Sequence, residues 1–416
     1  MPKQLNVVSF NIWGLPDVIT SRSGSAPSQP LVGRRERMRA IGSHVVGENE
    51  SGEEGRRVDV IGFQEAWKAE DRLAIRQLCK RAGLSHAHYF DKGAVGSGLL
   101  VVSRFPVRLA EYLPYSLNGK PQRLGHGDWW AGKGVGYLQL AVPPGFIEDA
   151  HPEGFTLHLF DTHTHARYGP AASFDEYSAH RLLQLRDFAL FASSRSDSYA
   201  PQDLVLAVGD FNSPPSSLEM RLFQHASSFR VAPLPPPAAT CSSGAQIDFV
   251  CLRPSPSWRL LGPSSTAFHG SSPYYTHAPA SPSAKISYYS DHLAVMASFC
   301  PASSSTISLT AAAVDLSAPL PDPSEELRAS LASFSRHLET RLAVHSTKTL
   351  FFCCCCGLVF FTPHHLDLSS TFHTILLSIG YLLLVLSIVA TALKLRELYI
   401  VRSFQQTLFN NKESKE

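Results

Sequence analysis

The sequence predicts a mixed α/β sandwich followed by C-terminal transmembrane helices. Three observations support this prediction. Short apolar runs of strand length alternate with helical patterns early in the chain and follow one another more directly later, which is typical of an α/β sandwich. Several of these runs end on a carboxylate, a carboxamide or an imidazole. Near the C-terminus, residues 371–393 contain no Asp, Glu, Lys or Arg.

The central strand is predicted at residues 204–212, with the sequence LVLAVGDFN. A short apolar run that ends near a Gly indicates a buried strand. Successive strand residues point to opposite faces, so Asp210 and Asn212 are expected on one face and Phe211 on the other. A carboxylate can hold Mg²⁺ or accept a proton, and a carboxamide can donate to a phosphoryl oxygen. Asp and Asn also end strands by forming turns, so this segment alone leaves both interpretations open.

The other elements surround this strand. Strands are predicted at residues 6–14, 58–65, 98–103, 134–142, 155–165, 246–252 and 290–296, and helices at 34–46, 69–82 and 176–192. The helix at 69–82 is expected to direct Leu73, Ile75 and Leu78 towards a core. Pro- and Ser-rich loops are predicted at 231–240 and 253–284.

Eight polar side chains follow the ends of these apolar runs. They are Asn11, Glu65, His163, Asp210, Asn212, Asp248, Asp291 and His292. Each alone has a structural explanation, because Asn and Asp form turns and an isolated His is usually a satisfied polar group. Their joint appearance favours metal-assisted hydrolysis of a phosphodiester. One Mg²⁺ needs few protein carboxylates, an imidazole oriented by a carboxylate can deprotonate water, and a second imidazole can stabilise the developing phosphorane charge.

Composition excludes some classes of function and indicates the compartment. A formal net charge of +2 over 416 residues gives no global field that would attract nucleic acid. The N-terminus is predicted to be a strand rather than a signal peptide. Four scattered cysteines (Cys79, Cys241, Cys251 and Cys300) show no CxxC spacing, so neither zinc nor a disulfide framework is favoured. We therefore expect an enzyme domain that faces the cytosol.

The region after residue 300 is organised differently. A Ser-, Ala- and Pro-rich linker is predicted at 301–321 and an amphipathic juxtamembrane helix at 322–346. Asp322 is the expected N-cap, with Pro323 in the first turn and Glu325 completing a capping box. The apolar stripe of this helix consists of Leu327, Leu331, Phe334, Leu338 and Leu342. Such a stripe either packs against another element or lies on a membrane surface.

A transmembrane hairpin is predicted at 347–393, with its second span at 371–393. At about 1.5 Å per residue, the second span exceeds a bilayer core of roughly 30 Å. The first apolar run, 350–362, is shorter and includes four consecutive cysteines that are candidates for acylation. The flanking basic residues are Lys348, Lys394, Arg396 and Arg402, and the connecting loop has none. This distribution favours two crossings in the endoplasmic reticulum or another endomembrane, with the 394–416 tail and the catalytic domain in the cytosol.

Several segments resemble the endonuclease/exonuclease/phosphatase superfamily, which has the DNase I-like fold. The segments are FNIWG at 10–14, QEAW at 64–67, GSGL at 96–99, LNGKP at 117–121, HGDWWAGK at 126–133, THTHA at 162–166 with Tyr168, and YSAHR at 177–181. Within the superfamily the chain most resembles the neutral sphingomyelinases and the yeast-type inositol phosphosphingolipid phospholipases C, because the Gly/Trp/Lys segment and a C-terminal hairpin are specific to that branch. The resemblance implies a DNase I-like four-layer α/β sandwich at 1–300.

The resemblance also implies roles for the strand-end residues. Glu65 would ligate Mg²⁺, with Asn11 near it and Asp291 as a possible outer ligand. His292 would be the general base, oriented by Asp248.

Further roles implied by the resemblance concern the phosphoryl group and the lipid. Asp210 and Asn212 would position the attacking water and a phosphoryl oxygen, and His163 would stabilise the transition state. The residues expected to bind substrate are Lys133, Asn118 and His126. For Lys133, a solvated surface position is the alternative.

The implied function is that of a neutral sphingomyelinase-like phosphodiesterase. It would be a membrane-anchored, Mg²⁺-dependent phospholipase C that converts sphingomyelin or inositol-phosphoceramide to ceramide and a phosphorylated headgroup. Anionic phospholipids are expected to activate it. The alternatives are a lysophospholipid phospholipase C, a nuclease or phosphoinositide phosphatase of the same fold, and an inactive membrane scaffold. Near-neutral charge disfavours the nuclease, and the intact set of polar site positions disfavours the scaffold.

Overall fold

The computed structural model describes residues 4–15, 33–53, 56–120, 123, 125–148, 152–169, 175–236, 238–267, 289–303, 320–361 and 370–413. In the last two of these ranges, side chains are described at 320–344, 346, 378–379 and 381–407. The chain divides into two compact units. The first comprises Met1–Asn118 with Trp130–Pro321, and the second comprises Gly119–Trp129 with Asp322–Glu416.

The first unit contains all of the described strands. They are β1 (Leu5–Asn11), β2 (Val60–Gln64), β3 (His86–Tyr89), β4 (Leu100–Ser103), β5 (Val107–Pro114), β6 (Gly134–Val142), β7 (Phe155–His163), β8 (Leu204–Asp210), β9 (Arg230–Val231), β10 (Asp248–Leu252), β11 (Trp258–Leu260), β12 (Ser265–Ala267) and β13 (Ala294–Pro301). Its helices are α1 (Arg34–Glu50), α2 (Ala69–Arg81), α3 (Ser178–Ser193) and α4 (Leu218–Ser227), with a 3-10 turn at Ser196–Ser198.

These strands form two sheets. One has seven described strands in the order β11-β13-β1-β2-β4-β3, with β12 also paired to β13. The other has six described strands in the order β5-β6-β7-β8-β10-β9. β1 pairs with β2 in parallel and β7 with β8 in parallel, whereas β13 runs antiparallel to β1 and β10 antiparallel to β8.

The two sheets pack face to face and helices cover both outer faces. The core between the sheets includes Val7 of β1, Val60 of β2 and Leu206 of β8. A second core places α1 and α2 on the outer face of the first sheet, and a third places α3 and α4 on the outer face of the second. This arrangement confirms the predicted four-layer α/β sandwich.

Strand alternation carries the inner face of each sheet from apolar to polar. In β8, Leu204, Leu206 and Val208 belong to the core between the sheets, and Asp210 is the next residue on that face. In β1 the same alternation leads from Val7 to Asn11. The polar residues therefore lie at one end of the sandwich, where the apolar core ends.

One predicted contact of α2 is wrong. Leu73 is 54 % exposed, whereas Ile75 is buried and Leu78 packs against the core. At 3.6 residues per turn, positions 73 and 75 are about 200° apart around the helix, so one face cannot bury both. The sequence interpretation also omitted the strand β5, the shorter strands β3, β9, β11 and β12, and the helix α4.

The second unit contains α5 (Ser324–Phe361), α6 (Ser370–Glu413) and a 3-10 turn at Gly127–Trp129. Asp322 caps α5, because its Oδ1 accepts a hydrogen bond from the Ser324 N–H at 2.9 Å. Four residues of the apolar stripe are buried, namely Leu327, Leu331, Phe334 and Leu338. Ser335 Oγ bonds Gln405 Oε1 at 3.0 Å, and Leu398, Val401 and Phe404 of α6 are also buried. The stripe therefore packs within this unit, as the first of the two alternatives predicted.

Among the residues that the structure describes, no helix combines the length and the apolarity that a membrane crossing needs. The side chains of the predicted first span, 350–362, and of residues 371–377 of the second lie outside the described residues, as do most of the linker and the 363–369 loop. The transmembrane hairpin stays a prediction.

Asp59 ties together three strands of the first sheet. Its buried carboxylate accepts hydrogen bonds from the Asn6 N–H at 3.0 Å, from Arg57 Nε at 2.9 Å and from Arg104 Nε at 3.0 Å. We expect Asp59→Ala to lower the free energy of unfolding by about 3 kcal/mol, because two partly buried guanidinium groups lose their counter-charge. Urea titration measures this, with Glu53→Ala, at an exposed carboxylate, as the control. Equal losses in the two variants would contradict the assignment.

Candidate active site

Strand direction brings the predicted polar residues to one end of the sandwich. Asn11 and His163 end β1 and β7, and Glu65 directly follows β2. Asp210 ends β8 and pairs in register with Asp248, the first residue of the antiparallel β10. The remaining two, Asp291 and His292, come shortly before β13. Parallel neighbours thus contribute their carboxyl ends, and the antiparallel β10 and β13 their amino ends, to the same end of the sandwich.

Asp210 lies at the centre of this group. Its Oδ2 accepts a hydrogen bond from Asn11 Nδ2 at 3.0 Å, which joins the two sheets. The same oxygen lies 3.5 Å from His163 Nε2 and 3.9 Å from His292 Nε2. Its Oδ1 accepts from the Asn212 N–H at 2.9 Å. Two imidazoles and one carboxamide therefore converge on a single carboxylate.

His292 is held by Asp248, as predicted. Its Nδ1 lies 2.9 Å from Asp248 Oδ2 and 3.2 Å from Oδ1, and Asp248 is fully buried. Because Nδ1 is occupied in this way, Nε2 is the nitrogen that faces Asp210. Burial alone would lower the pKa of His292, but the negative charges of Asp248, Asp210 and Asp291 outweigh it, and the net pKa is well above its ordinary value.

Glu65 leaves the strand geometry. Its φ of 62° is in the left-handed region, and Gly14 packs so closely on this turn that a Cβ there would lie 2.0 Å from the Glu65 carbonyl oxygen. Oε1 accepts from Asn11 Nδ2 at 3.3 Å, whereas the buried Oε2 has no hydrogen-bond partner among the described residues. Burial, helped by the charge of Asp291, raises the pKa of Glu65 to about 7.

These features fit a divalent cation at Glu65. A buried carboxylate oxygen without a donor among the described residues, near the half-buried carboxylate of Asp291, is unfavourable unless positive charge compensates it. Mg²⁺ prefers oxygen ligands and needs few from the protein, because it keeps several waters. Another group, Asp210, Asp248 and His292, places three possible ligand atoms within 4.8 Å of one another. Its atoms already pair with one another or with neighbouring residues, so we favour the position at Glu65.

Lys133 is buried rather than exposed at the surface, so the solvated-lysine alternative does not hold. Its Nζ donates to the Thr164 carbonyl oxygen at 2.6 Å, and Asn212 Nδ2 donates to the same oxygen at 3.1 Å. The Thr164 N–H in turn donates to the Asp210 carbonyl oxygen at 3.0 Å. The charge of Lys133 favours the ionised form of Glu65. Lys133 therefore contributes positive charge to the site.

The other two predicted substrate contacts are placed differently. Asn118 Nδ2 donates to the Ala131 carbonyl oxygen at 2.8 Å, which braces the backbone of the first unit there. His126 lies in the 119–129 segment, which belongs to the second unit. Substrate binding by Asn118 and by His126 stays a prediction.

Arg37 was missed by the sequence interpretation. This fully buried side chain of α1 donates from Nη1 to the Ile12 and Tyr289 carbonyl oxygens at 3.1 and 2.7 Å, and from Nη2 to the Trp13 carbonyl oxygen at 2.8 Å. It thereby ties the segment after Asn11 to the segment before Asp291. A charged residue next to the buried Met38 was the available signal, because a buried arginine needs such acceptors.

Two curated proteins are similar to part of this chain. A putative neutral sphingomyelinase from Drosophila melanogaster is 33 % identical over 224 residues, which are 54 % of this chain and 42 % of that protein. The inositol phosphosphingolipids phospholipase C of Schizosaccharomyces pombe is 34 % identical over 216 residues, 52 % of this chain and 42 % of that protein. The chain thus spans less than half the length of these curated relatives.

One solved structure is similar to the chain over most of its length. The crystal structure of sphingomyelinase C from Streptomyces griseocarneus gives a TM-score of 0.49 at 17 % identity, over 71 % of this chain and 99 % of that chain.

The family assignment rests on a longer match. The sequence model of the Endonuclease/Exonuclease/phosphatase family matches residues 8–293, which include every strand-end residue discussed above. This range covers more than half of the chain and nearly all of the sandwich. The chain therefore belongs to the Endonuclease/Exonuclease/phosphatase family.

Proposed function

We propose that the chain is a Mg²⁺-dependent phosphodiesterase that hydrolyses sphingophospholipids to ceramide and a phosphorylated headgroup. The observation that carries the proposal is the convergence of two features at one end of the sandwich. One is an oriented base, His292 with Asp248, and the other is the buried Oε2 of Glu65, which has no hydrogen-bond partner in the part of the chain that the structure describes. The similarity to a neutral sphingomyelinase and to an inositol phosphosphingolipids phospholipase C supports the lipid class.

His292 is positioned to activate the attacking water. The neutral form of its imidazole, present above the raised pKa of His292, accepts the proton at Nε2, and Asp248, bonded to Nδ1, stabilises the imidazolium that forms. Asp210 orients the water, because its Oδ2 faces both His292 Nε2 and His163 Nε2. His163 stabilises the negative charge that develops on the phosphoryl oxygens.

Mg²⁺, when bound, would polarise the phosphoryl group as a Lewis acid. Glu65 would be its ligand, with Asn11 and Asp291 beside it. Asn11 also donates to Asp210, so it links the metal-binding part of the site to the part that orients the water.

The substrate class is tested with a panel of phosphodiesters. Purified protein is incubated with sphingomyelin, inositol-phosphoceramide, a lysophospholipid and an abasic DNA duplex, with and without Mg²⁺, and the released headgroup or cleaved strand is measured. We expect Mg²⁺-dependent release from one or both sphingolipids. Activity confined to the lysophospholipid or to DNA would overturn the assigned substrate.

Membrane attachment through the second unit is part of the proposal. On α6, Tyr381, Leu382, Leu386 and Ile388 are each at least 55 % exposed, which is costly for apolar side chains in water. A lipid environment for these residues agrees with the hairpin that the sequence predicts at 347–393. The catalytic domain and the C-terminal tail would then face the cytosol from the endoplasmic reticulum or another endomembrane, and nucleic acid would not be a partner.

We expect Glu65→Gln to abolish Mg²⁺-dependent hydrolysis while the fold is retained, since the carboxamide keeps the acceptor for Asn11 but not the charge.

The folded-state pKa of Glu65, about 7, lies above its ordinary value, so metal-free wild-type protein should lose stability as pH rises from 5 to 8. Glu65→Gln should lose less. Thermal unfolding at both pH values, with and without Mg²⁺, measures this. Exposed Glu36→Gln is the control, and stabilisation of Glu65→Gln by Mg²⁺ to the wild-type extent would refute the ligand assignment.

His292→Ala is expected to lower kcat by about 10³-fold, within the range of general-base catalysis. Asp248→Asn should cost less, because the imidazole remains. It should also move the acidic limb of the pH–rate profile to lower pH, since the charge of Asp248 is one cause of the raised pKa of His292. Exposed His225→Ala is the matched control. An acidic limb that does not move in Asp248→Asn would exclude His292 as the titrating base.

Anionic vesicles are expected to raise activity over neutral vesicles, because each basic residue near an anionic surface contributes about 1 kcal/mol. Arg336→Gln/Arg341→Gln, at two exposed positions of α5, should reduce the activation, and the paired control Arg76→Gln/Lys80→Gln on α2 should not. Vesicle sedimentation and headgroup release are measured at low and high salt, because screening weakens exposed charges. Activation that is independent of salt would contradict this mechanism.

A further inference from the structure

We propose that Gln64 and Asp161 form a positioning pair, which fixes the separation of the two sheets beneath the site and so holds Glu65 and His163 in place. Gln64 is the last residue of β2 and Asp161 lies in β7, in opposite sheets. Gln64 Nε2 donates to Asp161 Oδ1 at 2.8 Å, and both side chains are fully buried. The inference builds on the proposed function, because the two residues act through groups assigned there.

The pair lies directly behind two residues of the site. Gln64 immediately precedes Glu65, so a shift of Gln64 moves the Glu65 backbone. Asp161 is two residues before His163 on the same face of β7, and it pairs in register with Val208, two residues before Asp210. A hydrogen bond between Gln64 and Asp161 therefore connects β2 to β7 next to the strand ends, one residue before Glu65 and two residues before His163.

The surrounding core is shaped to admit this polar pair. Gln64 Nε2 also donates to the Gly62 carbonyl oxygen at 3.1 Å, which fixes the carboxamide against its own strand. A Cβ on Gly62 would lie 2.6 Å from Val208 Cγ2 and 3.1 Å from Asp161 Cγ. Glycine at position 62 thus leaves the space that the Asp161 carboxyl occupies.

Stability alone does not explain an acid at position 161. The preceding residues on the same face, Leu157 and Leu159, belong to the apolar core between the sheets. Asp161 Oδ2 and Gln64 Oε1 are buried without a hydrogen-bond partner among the described residues, which is unfavourable. Burial also raises the pKa of Asp161 well above its ordinary value, because the charged form loses its solvation there. An apolar pair of similar size would be expected to stabilise the core more.

The test compares Asp161→Asn, Asp161→Leu and Gln64→Met in the full chain. We expect Asp161→Leu and Gln64→Met to fold but to lose about 10²-fold in kcat with little change in KM, because small displacements of reacting groups cost that much. Asp161→Asn keeps an acceptor for Gln64 Nε2 and should retain kcat within about threefold of wild type. The double variant Gln64→Met/Asp161→Leu should be no worse than either single variant, since both remove one interaction.

Asp203→Asn is the matched control. Asp203 is a buried acid that pairs with His158 Nε2 at 3.1 Å on the same strand β7, but it precedes the opposite end of β8. We expect Asp203→Asn to lower the melting temperature without changing kcat. If a buried acid on this sheet mattered only for stability, Asp161→Leu would behave in the same way.

A second readout does not depend on turnover. The ring signals of His163 in NMR spectra, and the Mg²⁺ concentration at half-maximal thermal stabilisation, should change in Asp161→Leu and Gln64→Met but not in Asp161→Asn or Asp203→Asn. This separates the inference from the proposed function, because both measurements can succeed with a protein that hydrolyses none of the tested lipids. Unchanged kcat and unchanged His163 signals in the variants that fold, or equal defects in Asp161→Asn and Asp161→Leu, would overturn the proposal.

Discussion

The hydrogen bond from Asn11 to Asp210 is the interaction on which the site depends. Asn11 belongs to one sheet and Asp210 to the other, so neither sheet contains a complete site. The apolar core between the sheets sets their separation over most of the strand length, and the polar groups meet only where that core ends. A change in sheet packing therefore alters the distances from Asp210 to the groups of the other sheet, Asn11 and His292, whereas His163 pairs with Asp210 within one sheet.

The electrostatics of the site follow from this geometry. Glu65, Asp210, Asp248 and Asp291 are brought together at one end of the sandwich, where burial and neighbouring negative charge raise the pKa of Glu65 and of Asp291 unless positive charge is present. His292 supplies part of that charge. Burial and the charge of Asp291 nevertheless raise the pKa of Glu65 more than the charges of His292 and Lys133 lower it, and Glu65 Oε2 has no hydrogen-bond partner among the described residues. The structure thus separates a carboxylate already paired with a base from one that still needs a cation.

Much of this arrangement could be predicted from the sequence, because alternation and strand direction are local properties. Residues that close apolar runs lie at the ends of strands, and neighbouring parallel strands bring their carboxyl ends together. Alternation no longer determines side-chain direction where the backbone leaves the strand. Glu65 and Asn212 have positive φ values of 62° and 46°, so their side-chain directions follow the turn rather than the strand period. Asn212 accordingly donates to Thr164.

What the sequence could not show are contacts between distant segments. Arg37 acts through backbone carbonyls of Ile12, Trp13 and Tyr289, and no side-chain pattern marks a carbonyl as an acceptor. The sequence left a surface position open as the alternative for Lys133, because its partner is also a backbone oxygen, 31 positions away.

The polar end of the sandwich also explains why the site tolerates so much buried charge. The strands continue from an apolar core into the site without a break, so the same backbone hydrogen bonds that order the core also order the catalytic side chains. In that rigid and poorly solvated setting, a carboxylate acts on its neighbours more strongly than it would in water. The burial that makes Glu65 costly without a cation is therefore the same property that would make a bound cation effective there.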